Sequence, residues 1–339
     1  MEHFPSLDWW HDDGTNLPMI NDVIRNQFYD RLLSRYVREQ HCVDIGFGTG
    51  LLSLLAIKHG AKTITAYEKD PQRFELGRYV IEKLGLEDRI SIKNKTFSID
   101  DFDDCKSAKI FFSEIVDSHI FGEGLWHVIP RSAWKDRFFL PNRYRVEIWS
   151  CAVSDSVAQG IDKNIYKFGD RPGFNPGVDI DNRFVELLNG ILHEEGTDQN
   201  LINHADRIFP RIRPISPDNS NDWGNNDFWQ HLTLTYGEIS AIFELDTNNH
   251  SFYQKDKFFA HGKTSSIDHS NNGYSLTIDM SRHQENNVLL WPRMSIGDDH
   301  DRLYLDRANW LTLPPTLTVN YHEDIIVKHS FTDGFFELR

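Results

Sequence analysis

The chain has 339 residues, 39% of them apolar and 13% aromatic, which is enough for one large or two modest domains with a proper core. Its net charge of −15 argues against non-specific binding to nucleic acid and is compatible with a cationic substrate. There is no run of about 18 apolar residues to cross a bilayer, and Met1-Glu2-His3-Phe4-Pro5 has neither the basic region nor the apolar core of a secretory signal, so a soluble, cytoplasmic protein is expected.

In chain order, the first clear element is an apolar strand carrying Asp44 that runs straight into three alternate glycines, Gly46, Gly48 and Gly50. This pattern suits a backbone that turns tightly and lets a ligand approach where a Cβ would collide, with free N–H groups of the next helix behind it. The spacing is G-x-G-x-G, not the G-x-G-x-x-G of dinucleotide sites, where a pyrophosphate rests on the helix N-terminus. Asp44, just before the loop, would repel phosphate. S-adenosylmethionine carries an α-amino group and a sulfonium but no phosphate, so it fits the acid-then-glycine order better. A structural glycine turn and another nucleotide site are the alternatives.

Leu51 to Ile57 then reads as an apolar helix ending near His59-Gly60. A second strand, Ile64 to Tyr67, ends on Glu68, an acid placed to accept both hydroxyls of a ribose, or else a solvated loop carboxylate. A helix over roughly residues 71–85 is opened by Pro71 and closed by Gly85. The third strand, Ile90 to Ile92, leads into Asn94-Lys95-Thr96-Phe97-Ser98, the loop from which an adenine is read, with the Ser98 hydroxyl a candidate contact.

The fourth strand, Lys109 to Ser113, delivers Glu114 to the carboxyl edge of the sheet, where open α/β folds bind ligands. Nine residues on, after Gly122, Glu123 is placed to fold back beside it. Two carboxylates converging on one site repel unless a cation lies between them. A guanidinium is such a cation, and its planar fork takes bidentate hydrogen bonds from carboxylates that align one nitrogen for attack. The alternative is two surface glutamates. Asp117 lies inside the same loop and is a candidate contact for a basic substrate.

After Pro141 the pattern changes to short strands, at 145–149, 232–235, 325–327 and 335–338. Between them, residues 160–228 hold Pro- and Gly-rich breaks around a helical piece at about 181–193, and are readable as an arm, a lid or a long connection. Cys42, Cys105 and Cys151 are too few and scattered for a disulfide framework and read as buried thiols. The sixteen histidines show no metal-ligand spacing, so no metal site is expected.

The glycine motif, Glu68 and the loop Glu114-Ile115-Val116-Asp117-Ser118…Gly122-Glu123-Gly124 together resemble the protein arginine N-methyltransferases, the monomethylating (type III) branch most. Upstream, Met19-Ile20-Asn21-Asp22-Val23-Ile24-Arg25-Asn26-Gln27-Phe28-Tyr29 is similar to the family's cofactor-covering helix. The resemblance implies a Rossmann-like class I methyltransferase domain followed by a β-barrel-like domain. Its divisions here are residues 1–40 (covering helices), 41–141 (S-adenosylmethionine domain) and 142–339 (β-rich substrate domain, with a dimerisation arm within 160–228). It implies that Arg25, Asp44, Gly46, Gly48, Gly50, Glu68 and Ser98 hold the cofactor, and that Glu114 and Glu123 are catalytic. Met19, Asp117 and Trp310 fall on the substrate side. The substrate would be an arginine-containing protein or peptide and the assembly a homodimer. The match fades after about residue 150. Where the family has a Thr-His-Trp loop, this chain has Ala308-Asn309-Trp310, which leaves room for a small guanidine or free arginine derivative as the acceptor, or for a non-catalytic scaffold.

Overall fold

A computed structural model describes residues 20, 22–116, 124–125, 137–153, 177–194, 238–247, 261–262, 264–270, 273–278, 287–305, 316–319, 325–330 and 336–338. Its first helix, α1 (Val23–Tyr36), starts where the Asp22 side chain accepts the Arg25 N–H at 3.0 Å, an N-cap that satisfies one otherwise orphaned donor. Phe28, Tyr29, Leu32 and Leu33 recur at helical spacing and form its fully buried face.

Five parallel strands follow: β1 (His41–Ile45), β2 (Thr63–Glu68), β3 (Ile90–Asn94), β4 (Ile110–Ser113) and β5 (Phe138–Leu140). Their order in the sheet is β3-β2-β1-β4-β5. Cys42 to Ile45 are buried without alternation, as expected of a parallel strand covered on both faces. Helix α2 (Leu51–Lys58) is buried along Leu51 to Ala56, and helix α3 (Pro71–Leu84) begins with Pro71 behind an Asp70 cap. Gly85 ends α3 at φ 67°, a left-handed position that glycine takes without a Cβ penalty. The expected strand-and-helix alternation through residue 113 is thus present with nearly the anticipated bounds. Cys42, Cys105 and Cys151 are buried thiols outside any disulfide, as expected.

The later strands are antiparallel. The long β6 (Arg143–Val153) lies between β7 (Glu238–Asp246) and β11 (Asn287–Gly297), with the short β8 (His261–Gly262), β12 (Arg302–Tyr304) and β13 (Thr316–Val319) beside them. A separate four-stranded sheet contains β9 (Thr264–Ser270), β10 (Gly273–Ile278), β14 (Ile325–Ser330) and β15 (Phe336–Leu338). Tyr144, Val146 and Ile148 of β6 point into the core, while Arg143, Arg145 and Glu147 line the other face with Glu244 and Arg302. The expected strands at 145–149, 325–327 and 335–338 are present, and the one at 232–235 lies outside the described residues. Helix α4 (Asn182–Glu194) matches the helical piece expected at 181–193, and it buries Phe184 and Leu188 in the main core.

Two ion pairs fasten α1 to the turn between β11 and β12: Arg35 to Asp298 at 2.8 Å and Arg31 to Asp301 at 2.7 Å. Asp298 is buried, and hydrogen bonds from the His300 and Asp301 N–H groups and from Arg35 outweigh its burial and hold its carboxyl below the usual range. The antiparallel half therefore helps to position the helix that carries Arg25.

Candidate functional site

The strand order reverses between β1 and β4, and the crevice outside the carboxyl ends of such a pair is where open α/β sheets take ligands. Gly46 follows β1 at this point and Glu114 follows β4. The sequence-predicted donor and acceptor groups that are described meet here.

Gly46, Gly48 and Gly50 have φ of 86°, 57° and 88°, so the loop needs glycine for its backbone as well as for space. The Gly46 and Phe47 N–H groups donate to the Tyr67 carbonyl, which folds the loop back over β2. A Cβ at Gly48 would meet nothing within 4 Å, leaving a cradle along the loop. Glu68 is 3% exposed and fully engaged at both oxygens: Gly48 N–H donates to Oε2 at 2.8 Å and Asp70 N–H to Oε1 at 2.9 Å. Each carboxylate oxygen keeps a further lone pair for a ligand hydroxyl. This excludes the reading of Glu68 as a solvated loop carboxylate.

Asp44 is completely buried, and its Oδ2 accepts the Ser53 hydroxyl at 2.6 Å. Its Oδ1 has no hydrogen-bond partner in the protein. Burial pushes its pKa up to about 8 against the opposing effect of the Ser53 hydrogen bond, and the Glu68 charge adds to the rise. A carboxyl that is largely protonated at neutral pH repels phosphate weakly. The expected repulsion of phosphate by Asp44 is weakened to that extent.

Ser98 sits at the end of the β3 loop, where its hydroxyl and N–H both donate to Asp101 Oδ2, at 3.0 and 2.9 Å, as the cap of a short 3-10 turn (Ile99–Phe102). Its oxygen retains acceptor capacity toward a ligand amine. The Ser-x-x-Asp spacing was the available signal for this capping role. Ser53, which the sequence pattern did not single out, is the partner that orients Asp44.

Arg25 and Glu114 form an ion pair at 3.3 Å with side chains only 6% and 8% exposed. Tyr29, one turn along α1 from Arg25, donates to the Ser113 carbonyl at 3.2 Å and fixes the helix over the end of β4. Burial and the Glu114 charge hold the Tyr29 hydroxyl well above its ordinary pKa, so it remains a donor. Arg25 thus ties α1 to the end of β4. Glu123, Met19, Asp117 and Trp310 lie outside the described residues.

No protein-family model matches the chain. Among curated proteins, it is 34% identical to protein arginine N-methyltransferase 7 of Aedes aegypti over 117 residues, 31% of this chain and 17% of that protein. It is 35% identical to protein arginine N-methyltransferase 1.6 of Arabidopsis thaliana over 117 residues, 32% of this chain and 16% of that protein. Over these residues the chain is similar to protein arginine N-methyltransferases. With the Anopheles gambiae protein arginine N-methyltransferase 7 the match is 32% over 158 residues, 42% of this chain and 23% of that protein. The chain spans well under a third of the length of these curated relatives. Among solved structures, PRMT6 superposes with a TM-score of 0.53 at 15% identity, covering 98% of this chain and 99% of that one, which is a likeness of fold.

Proposed function

We propose that the chain is an S-adenosylmethionine-dependent arginine N-methyltransferase that modifies a protein or peptide, and that it is similar in this to its curated relatives. The observation that carries the reading is the meeting of a glycine cradle, Glu68 and the buried Arg25–Glu114 pair at one strand-order reversal. The residues fit the cofactor: the open space at Gly48, the hydroxyl-ready oxygens of Glu68 and the partnerless Asp44 Oδ1 are the features a ribose and an amino group require. Gly46, Gly48, Gly50 and Glu68 would hold the adenosine ribose, Ser98 would accept from the adenine, and Arg25 would bind the carboxylate of the methionine moiety.

When bound, S-adenosylmethionine supplies a methyl group on a sulfonium, which is transferred in line to a guanidinium nitrogen. Glu114 and Glu123 would grip the guanidinium through charge-assisted hydrogen bonds and turn one nitrogen toward the methyl group. The methylated nitrogen would become acidic, and Glu114 or Glu123 would accept its proton. Arg25 also serves Glu114 directly, because their ion pair keeps that buried carboxylate compensated before an acceptor arrives.

The two antiparallel sheets are the walls of the β-barrel-like substrate domain in this reading, with the domain change near residue 141. In this reading an arm within residues 160–228 serves a homodimer, the location is cytoplasmic, and Met19, Asp117 and Trp310 contact the substrate. The type III likeness of the Glu114 loop supports monomethylation. The Ala308-Asn309-Trp310 sequence favours a second reading, a small guanidine or free arginine as acceptor. Incubation with labelled S-adenosylmethionine and a panel of arginine peptides, free arginine and small guanidines, followed by product analysis, separates them: monomethylarginine in peptide is expected, and label confined to the small acceptors would replace the first reading with the second.

A further inference from the structure

The residue between the first two glycines of the loop is a phenylalanine, Phe47, which is 4% exposed. Its ring lies against two glycines from different elements. A Cβ at Gly50 would come within 2.6 Å of its Cζ, and a Cβ at Gly77 within 2.7 Å of its Cε1. Gly50 needs glycine for its φ of 88° in any case, whereas Gly77 sits in the middle of helix α3 with no such backbone demand. Glycine inside a helix is disfavoured because of its backbone freedom, so the position has a packing reason, and the reason is the Phe47 ring together with Ile92, whose Cδ1 lies 2.7 Å from the same Cβ position.

The contact closes a loop of interactions. Gly48, next to Phe47, donates its N–H to Glu68; Asp70, which caps α3, donates its N–H to the same carboxylate; and α3 carries Gly77 back to the Phe47 ring. The glycine loop is therefore joined to the β2–α3 unit at two points, a polar one at Glu68 and an apolar one at Gly77. A methyl group at Gly77 would lie under 3.0 Å from the ring, so the ring, Ile92 or the helix must shift to admit it.

We infer that Phe47 and Gly77 form a matched ring-and-gap pair that positions the glycine loop on Glu68, and thereby sets the affinity of the site for an adenosine ligand. Phe47 is a positioning residue, acting through Gly48 and Glu68. The inference rests on the proposed cofactor site, and the experiment keeps the two apart. Calorimetric titration of S-adenosylhomocysteine is compared for the full chain and the variants Gly77→Ala, Phe47→Leu and the double variant Phe47→Leu/Gly77→Ala, with circular dichroism as a check on folding.

The expected result is that Gly77→Ala weakens binding about tenfold or more, and that in the Phe47→Leu background the same change costs distinctly less, since the ring is gone and of the two groups that met the new methyl only Ile92 remains. Gly77→Ala binding like the unaltered chain, or Gly77→Ala costing as much in the Phe47→Leu background as in the unaltered chain, overturns the pairing. Were Gly77→Ala to fail to fold, the Phe47→Leu and double variants decide the matter: equal affinity supports the pair and a large further loss contradicts it. Failure of the unaltered chain to bind S-adenosylhomocysteine would instead defeat the cofactor site itself.

Discussion

The two sides of the crevice are held in different ways. On the β1 and β2 side, the glycine loop is fixed by backbone N–H groups donating to the Tyr67 carbonyl and the Glu68 carboxylate, and its shape is written into three left-handed glycines. On the β4 side, Glu114 is held by an ion pair with Arg25, a side chain from a different element. Backbone bonds persist as long as the sheet does, whereas a side-chain pair can exchange partners. The glycine loop is accordingly held by the sheet's own backbone, while Glu114 is held by a side-chain pair whose cation, in the proposed reading, a substrate guanidinium would replace.

The sharpest way to break this contrast is Glu114→Gln. Losing one charged group that acts on the reacting nitrogen is expected to lower methyl transfer by about 100-fold or more. Affinity for S-adenosylhomocysteine is expected to hold or rise, because Arg25 loses its competing partner. Steady-state rates together with calorimetry measure both, and equal losses of transfer and binding would show that Glu114 belongs to the donor half.

Arg25→Ala tests the ion pair itself. It removes one side of a buried pair, a change that costs about 3–5 kcal/mol of stability, and it removes the expected partner of the cofactor carboxylate. Denaturant unfolding of Arg25→Ala and of Arg25→Ala/Glu114→Gln is the comparison. The double variant is expected to lose less than the sum of the two single losses, because each single change already breaks the same ion pair; additive losses would contradict the pairing.

Asp44 supplies a pH test of the donor half. Its folded pKa of about 8 lies above the ordinary value of 3.8, so the native state holds a proton that the unfolded chain releases. The native state thus binds more protons across that window, and the contribution of Asp44 to stability falls as pH rises from about 4 to about 8. Thermal unfolding of Asp44→Asn relative to the unaltered chain is expected to improve steadily between those limits. A difference that does not change with pH would contradict the buried, protonated state.

The smallest effect is expected from Ser53→Ala, which removes one buried hydrogen bond to Asp44 at a cost of about 1 kcal/mol. Unfolding midpoints in urea measure it, and an unchanged midpoint would mean that Ser53 does not support Asp44.

What was legible in the sequence was local. Pro71 and Gly85 mark the ends of α3 because the constraints they impose are those of their own backbones, and the alternate glycines announce a loop for the same reason. Glu68 and Glu114 are placed from strand ends, where one residue fixes one edge position. The Arg25–Glu114 pair was not legible, since it depends on how α1 crosses the end of β4. That crossing is set in turn by Tyr29 on the Ser113 carbonyl and by Arg31 and Arg35 on the β11–β12 turn. The protonated state of Asp44 escapes the sequence because a sequence shows a charge but not its complete burial. Ser98 carries its capping partner three residues ahead, and Gly77 stands as a glycine inside a helix; both signals are present in the sequence, but only the packing gives them a meaning.

The most direct measurement is transfer of label from S-adenosylmethionine to an arginine peptide and to the same peptide with lysine in place of arginine, using protein shown by calorimetry to bind S-adenosylhomocysteine. Label on the arginine peptide alone, recovered as methylarginine, is the predicted result. Protein that binds S-adenosylhomocysteine yet labels neither peptide, or labels both equally, would contradict an acceptor site built for a guanidinium.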